Sequence, residues 1–267
     1  MYEEFIANLS EACRRSAPAD AGTYVGENGI LYCEKCRTPR QTDVTFLGHA
    51  LRVYCACRCT MEAAERERAE TQAAEARIRA GELRAQGIND RAYLGMTFAR
   101  DDRPEHPLSK AARRYAERFE PSAEQRGLMF MGSVGTGKTF YACCIANALM
   151  DAGVSAWVTT VQPLLRMAGD FSTAEEIFAR IKSVDLLVLD DFGACQSGAR
   201  NVELLFEIVD TRYRCGLPLV VTTNLRPVDM RSAPIELERI YSRVKQMCVN
   251  EHSPIIMDGA DLRELAA

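Results

Sequence analysis

Short, nearly continuous apolar runs punctuate the second half of the chain. They are Gly127-Leu-Met-Phe-Met131, Val154–Thr160, Val184–Gly193, Leu217–Asn224 and Pro254–Met257. Runs of this length that do not alternate with polar residues predict strands buried on both faces. Between them lie segments of helical periodicity. Phe140–Met150 is apolar throughout, and Pro163–Ala179 is helical with an interruption at Gly169-Asp170. Asn201–Arg214 shows an apolar face of Val202, Leu204, Leu205, Ile208 and Val209, and Glu236–Val244 is a short helix. Strands alternating with helices predict an α/β domain with a parallel sheet flanked by helices.

The first half has a different texture. Phe5, Ile6, Leu9 and Cys13 have near-helical spacing and predict a short amphipathic helix before a Pro- and Gly-containing connection. Residues 61–86 hold six Glu and five Arg among many Ala, with almost nothing to bury. High helix propensity and interleaved charge predict an exposed linker helix, since the a/d positions lack the apolar residues of a coiled coil. Asn89–Phe98 and a helix over Ser109–Phe119 follow. Tyr93 and Phe98 are aromatic residues placed either to wrap a base or to pack the edge of the core.

Composition narrows the reading. A net charge of -4 excludes a generally basic nucleic-acid coat, so any DNA contact must be a local patch. No apolar run is long enough to span a membrane, and the N-terminus lacks a signal-like pattern, which together predict a soluble cytoplasmic protein. Of eleven cysteines, five are bunched as Cys33-x-x-Cys36 and, eighteen residues on, Cys55-x-Cys57-x-Cys59. Two such groups around a predicted hairpin at Gly48-His49 fit a structural, four-thiolate Zn²⁺ site. Five thiols compete for four places: Cys33 and Cys36 are the firmer ligands, two of Cys55, Cys57 and Cys59 complete the set, and His49 is a conceivable substitute.

The chemistry concentrates at Gly132-Ser-Val-Gly-Thr-Gly-Lys-Thr139, which fits G-x-x-x-x-G-K-[ST]. Glycines let successive backbone N–H groups of Gly132, Ser133, Val134, Gly135, Thr136 and Gly137 turn toward phosphate oxygens, with a helix N-terminus behind them. Lys138 then neutralises phosphate charge and the Thr139 hydroxyl holds Mg²⁺, so ATP and Mg²⁺ are the expected cofactors. The run from Val184 delivers Asp190 and Asp191 at a strand's C-terminal edge. Asp190 is placed to hold Mg²⁺-bound water and Asp191 to orient the attacking water. Asn224, at the end of the next strand, can hydrogen-bond the γ-phosphate or that water. Arg239 and Arg243, four apart on one helical face, can reach a neighbouring subunit's nucleotide.

With "GTGKT", "LLVLDDFG", "VVTTNL" and "LERIYSRV" in order, residues 87–267 resemble the AAA+ family of DnaC/DnaI-type helicase loaders, which includes the IstB transposition helpers. The cysteine-rich segment resembles the N-terminal domain of DnaI-like and phage-type loaders and is absent from IstB-like proteins. The resemblance implies three parts: a zinc-binding domain over 1–60, a charged linker over 61–86, and a P-loop AAA+ domain over 87–267 with a truncated lid. It also implies docking on a replicative DnaB-type helicase, binding of single-stranded DNA, and self-association into a spiral, with no membrane partner. Lys138 and Thr139, Asp190 and Asp191, and Asn224 carry over as Walker A, Walker B and sensor 1. Arg243 aligns as the arginine finger with Arg239 as the alternative, and Arg263 falls where loaders have a late phosphate-contacting arginine. Two other readings stand beside the loader: a transposition helper acting on duplex DNA, and a nucleotide-gated adaptor with little turnover, which the short Asp191 allows.

Overall fold

The computed structural model describes residues 22–46, 48–122, 126–193, 198–249 and 254–257. The helix predicted around Phe5, the lid segment and Arg263 lie outside them. The chain divides into two compact units, Met1–Glu75 and Ala76–Ala267, so the division falls inside the predicted linker.

The first unit contains two small antiparallel ladders. Strand β1 (Thr23–Val25) pairs with β2 (Leu31–Cys33), and β3 (Gln41–Phe46) pairs with β4 (His49–Tyr54) across a turn at Gly48. Helix α1 (Arg58–Gly87) then begins where the last cysteines fall, earlier than the linker was expected to start, and continues across the unit boundary. Among the described residues of this unit only Cys33, Leu51 and Cys57 are buried. Two ladders with so little apolar interior cannot offset the conformational entropy of ordering by hydrophobic burial alone.

The second unit opens with α2 (Arg91–Leu94), a 3₁₀ turn at Phe98–Arg100 and α3 (Pro107–Glu117). There follow β5 (Leu128–Gly132), α4 (Lys138–Asp151), β6 (Ala156–Thr160), α5 (Val161–Gly169), α6 (Ala174–Ser183) and β7 (Leu186–Asp190). Helix α7 (Ala199–Cys215), β8 (Leu219–Thr223), α8 (Pro227–Arg231), α9 (Ile235–Cys248) and β9 (Ile255–Met257) complete it. The sheet is parallel, in the order β6-β7-β8-β5-β9. Successive strand residues face opposite ways, so each strand feeds two cores. Leu187 and Leu189 point to the side that holds Trp157, Leu164, Ile181, Leu205, Ile208 and Val244. Leu186 and Val188 point to the side of Phe130, Tyr141, Ile145 and Leu149. This two-sided burial is what makes the strands read as unbroken apolar runs. Strand β8 lies between β5 and β7, which brings three strand ends together on one edge, at the place where strand order reverses and open α/β sheets bind ligands.

Candidate functional site

The turn from β5 into α4 requires glycine. Gly132, Gly135 and Gly137 have φ of +148°, +79° and +93°, where a side chain is disfavoured. At Gly132 a Cβ would also lie 2.0 Å from the Met257 carbonyl oxygen on neighbouring β9. Gly137 is the N-cap of α4 and supplies no side-chain cap, so the first-turn N–H groups remain oriented for an anion. Lys138 is buried and its Nζ donates to the Ser133 carbonyl at 2.6 Å, while the Thr136 hydroxyl donates to the same oxygen at 3.0 Å. Val134 stands exposed at the tip.

Asp190, at the end of β7, is 2% exposed and meets three hydroxyls. Its Oδ1 accepts from Thr139 at 2.8 Å and from Thr222 at 2.5 Å, and its Oδ2 accepts from Tyr93 at 3.0 Å. The predicted magnesium pair, Thr139 and Asp190, is therefore in direct contact. A hydroxyl and a carboxylate at the mouth of a glycine loop form the all-oxygen donor set that Mg²⁺ takes alongside phosphate and water, so the residues fit the ion. Burial, then the nearby Asp190 charge, pushes the Tyr93 phenol well above its usual range, so it remains a donor.

Asp191 follows in the left-handed region, φ +53°, which Asp tolerates better than most residues because its short side chain can bond locally. Its N–H donates to the Thr222 hydroxyl at 3.0 Å, forming a relay Asp191 N–H to Thr222 to Asp190. Asn224 sits exposed just past β8, beyond the buried Thr222 and Thr223. Walker residues and the polar strand end thus share one edge. Sequence reasoning missed Thr222 and the reach of Tyr93. A buried threonine on a strand between two motif-bearing strands was a signal for the first, since a buried hydroxyl needs a partner. Nothing in the pattern marked the second.

Arg239 is exposed on α9, with its guanidinium 4.8 Å from the Phe206 ring centroid. Arg243 lies 4.6 Å from the same ring and is bound by Asp210 on α7.

In the first unit the sulfurs of Cys33, Cys36, Cys57 and Cys59 all lie within 4.8 Å of one another. Cys33 to Cys59 is 3.6 Å and Cys57 to Cys59 is 3.2 Å. Tetrahedral Zn–S bonds of about 2.3 Å set sulfurs about 3.8 Å apart, so the four thiols fit Zn²⁺. Cys55 is the fifth: its Sγ approaches the Pro39 carbonyl at 3.5 Å, and His49 belongs to the hairpin. The Thr38 hydroxyl, 3.0 Å from Cys36, helps hold that thiol down at about 5, whereas its neighbours Cys57 and Cys33 push Cys59 up to about 12. Four thiols this close cannot all ionise unless a cation shares their charge.

A glycine loop, an acid two strands away and a polar strand end between them define a P-loop nucleotide-binding domain of AAA+ type. Residues 118–232 match the family of IstB-like ATP binding proteins. The chain is 37% identical over 142 residues to the replicative helicase loader DnaC of Buchnera aphidicola subsp. Schizaphis graminum, covering 51% of this chain and 56% of that protein. It is 26% identical over 160 residues to the replicative helicase loader DnaI of Bacillus subtilis, covering 56% and 51%. A crystal structure of DnaI superposes with a TM-score of 0.54 at 27% identity, covering 65% of this chain and 94% of the other. The ATP-binding domain is therefore similar to IstB-like ATP binding proteins and to DnaC/DnaI-type helicase loaders. The chain spans about half the length of the curated relatives it matches. No helix among the described residues is long and apolar enough to cross a membrane.

Proposed function

We propose that this chain is an ATP-dependent loader of a replicative DnaB-type helicase. The observation that carries the nucleotide half of the reading is the 2.8 Å contact between Thr139 and Asp190 beneath a loop of positive-φ glycines. The helicase half is supported by relatives named as helicase loaders and by the four-cysteine cluster on a separate unit.

In this reading the loop amides and Lys138 bind the triphosphate, and Thr139 with Asp190 would hold Mg²⁺. That ion, when bound, neutralises charge on the β- and γ-phosphate oxygens. Asp191 and Asn224 orient the attacking water, and Arg243 or Arg239 of one subunit serves the nucleotide of the next. Zn²⁺ on Cys33, Cys36, Cys57 and Cys59 replaces the missing core of the unit that docks on the helicase. Phe171, 99% exposed between α5 and α6 with Arg200 close by, is the described aromatic best presented for stacking on an unpaired base.

The test is a pull-down of the full chain against the replicative DnaB-type helicase with and without ATP, together with ATP turnover with and without single-stranded DNA. Nucleotide-dependent capture and stimulation by single-stranded DNA, reduced in Phe171→Ala, support a loader. Preference for duplex DNA without helicase capture would instead make it a transposition helper, and tight ATP binding without turnover would make it an adaptor.

A further inference from the structure

The geometry points to Tyr93 as a positioning residue for the metal-dependent step: its hydroxyl pins the second oxygen of Asp190 so that the first stays aimed at Thr139. The inference rests on the nucleotide-binding reading above and assigns a role that neither strand–loop motif contains.

An aspartate carboxylate turns about a broad, nearly two-fold torsion, so a single anchored oxygen leaves its plane undefined. Oδ1 is fixed by Thr139 and Thr222, and Tyr93 donates to Oδ2 at 3.0 Å. A phenol suits this task because it donates a hydrogen bond without carrying a charge that would cancel the carboxylate's attraction for a cation.

Tyr93 is itself held from behind. Asn147 on α4 is buried, and its Nδ2 donates to the Tyr93 carbonyl at 2.9 Å and to the Met96 carbonyl at 3.0 Å. Arg84, near the end of α1, donates its Nε to Asn147 Oδ1 at 3.1 Å and pairs with Asp151 at 2.6 Å. The ring packs against the core side that contains Tyr141 and Ile145. The hydroxyl is thus delivered by a fixed backbone, which a residue serving only as edge packing does not require.

Tyr93→Phe keeps the ring and removes the hydroxyl. The full zinc-loaded chain is titrated with a fluorescent ATP analogue in chelator-free buffer, first without Mg²⁺ and then across a Mg²⁺ series, with melting temperature followed in parallel. The expected result is unchanged affinity without Mg²⁺, a Mg²⁺ requirement raised about tenfold, and kcat lowered by a similar factor at constant KM, the scale of one hydrogen bond to a charged group. Each variant's melting shifts are referred to its own nucleotide-free form, which removes any general destabilisation. The inference is overturned if the Mg²⁺ series of Tyr93→Phe overlays the parent's, or if its nucleotide and Mg²⁺ increments are lost together, as for simple packing. Absence of any nucleotide binding by the parent chain would instead sink the functional reading beneath it.

Discussion

Arg243 Nε lies 2.6 Å from Asp210 Oδ1, and the other oxygen of that carboxylate takes Arg214 at 2.7 Å. The arginine that aligns as the finger is therefore anchored within its own subunit, between Asp210 and the ring of Phe206, while Arg239 stands exposed one turn away. The two roles separate by variant. Arg239→Ala removes an exposed charge and should leave stability within about 0.5 kcal/mol. Arg243→Ala leaves Asp210 with only an exposed partner and should cost roughly 1–3 kcal/mol. If Arg243 also acts in trans, its loss lowers turnover at assembling concentrations far more than that instability explains. Mixing Arg243→Ala with Lys138→Ala chains should then recover activity at the interface that pairs an intact loop with an intact arginine. No recovery, with Arg239→Ala showing it instead, would assign the finger to Arg239.

Asp191 occupies a left-handed backbone position and shares Thr222 with Asp190. Asp191→Asn preserves the size and the tolerance of that conformation while removing the charge. Turnover should fall at least about a hundredfold with nucleotide affinity nearly unchanged, the scale of losing a general base. Lys138→Ala should instead abolish binding and leave the fold intact. Equal turnover in Asp191→Asn and the parent would move water activation elsewhere.

Cysteine variants discriminate the metal set. Cys55→Ser should retain one zinc per chain, because its sulfur faces the Pro39 carbonyl and not the cluster. Cys57→Ser should lose the metal and, with it, the folding of the first unit, whose described residues bury almost nothing else. Zinc content by elemental analysis and protease resistance before and after chelation check both. Loss of zinc in Cys55→Ser would show that the fifth thiol is a ligand.

Legibility followed from how each feature is encoded. Strands buried on both faces produce unbroken apolar runs, so β5, β7 and β8 and the motifs at their ends were readable. The glycine loop was readable because positive φ at Gly132, Gly135 and Gly137 demands that residue type. Choosing four thiols of five was not possible, because Cys55 and Cys57 precede α1 while Cys59 lies within it, and the spacing alone does not mark the helix start at Arg58. The short β1 and β2 are held by a few hydrogen bonds and one Tyr24–Tyr32 stack, too little for a periodic signal. Tyr93 meets Asp190 across 97 residues, a contact fixed by tertiary packing with no local trace.

Arg212 on α7 is wholly buried, and its bonds go to main-chain carbonyls. Its Nη1 donates to Ile181 and Val184, its Nη2 to Asp185 and Pro218, and its Nε also to Pro218. These carbonyls lie where α6 ends and where the chain enters β7 and β8, so one guanidinium fixes the starts of the two strands whose far ends hold Asp190 and Thr222. Burial pulls its pKa down to about 10, which keeps it charged at neutral pH. Arg212→Met fills much of the volume but strands several carbonyls, a loss of about 3 kcal/mol. For a unit of this size that corresponds to a melting temperature lower by roughly 6–12 °C. Arg212→Lys restores charge but not the planar fork, so it should recover only part of the loss. Turnover should suffer in Arg212→Met even below its melting range, because the strand starts set the register of the site's acids. A melting temperature within about 2 °C of the parent would mean that water or a rearranged loop satisfies those carbonyls, and the guanidinium would then not be what sets the edge of the sheet.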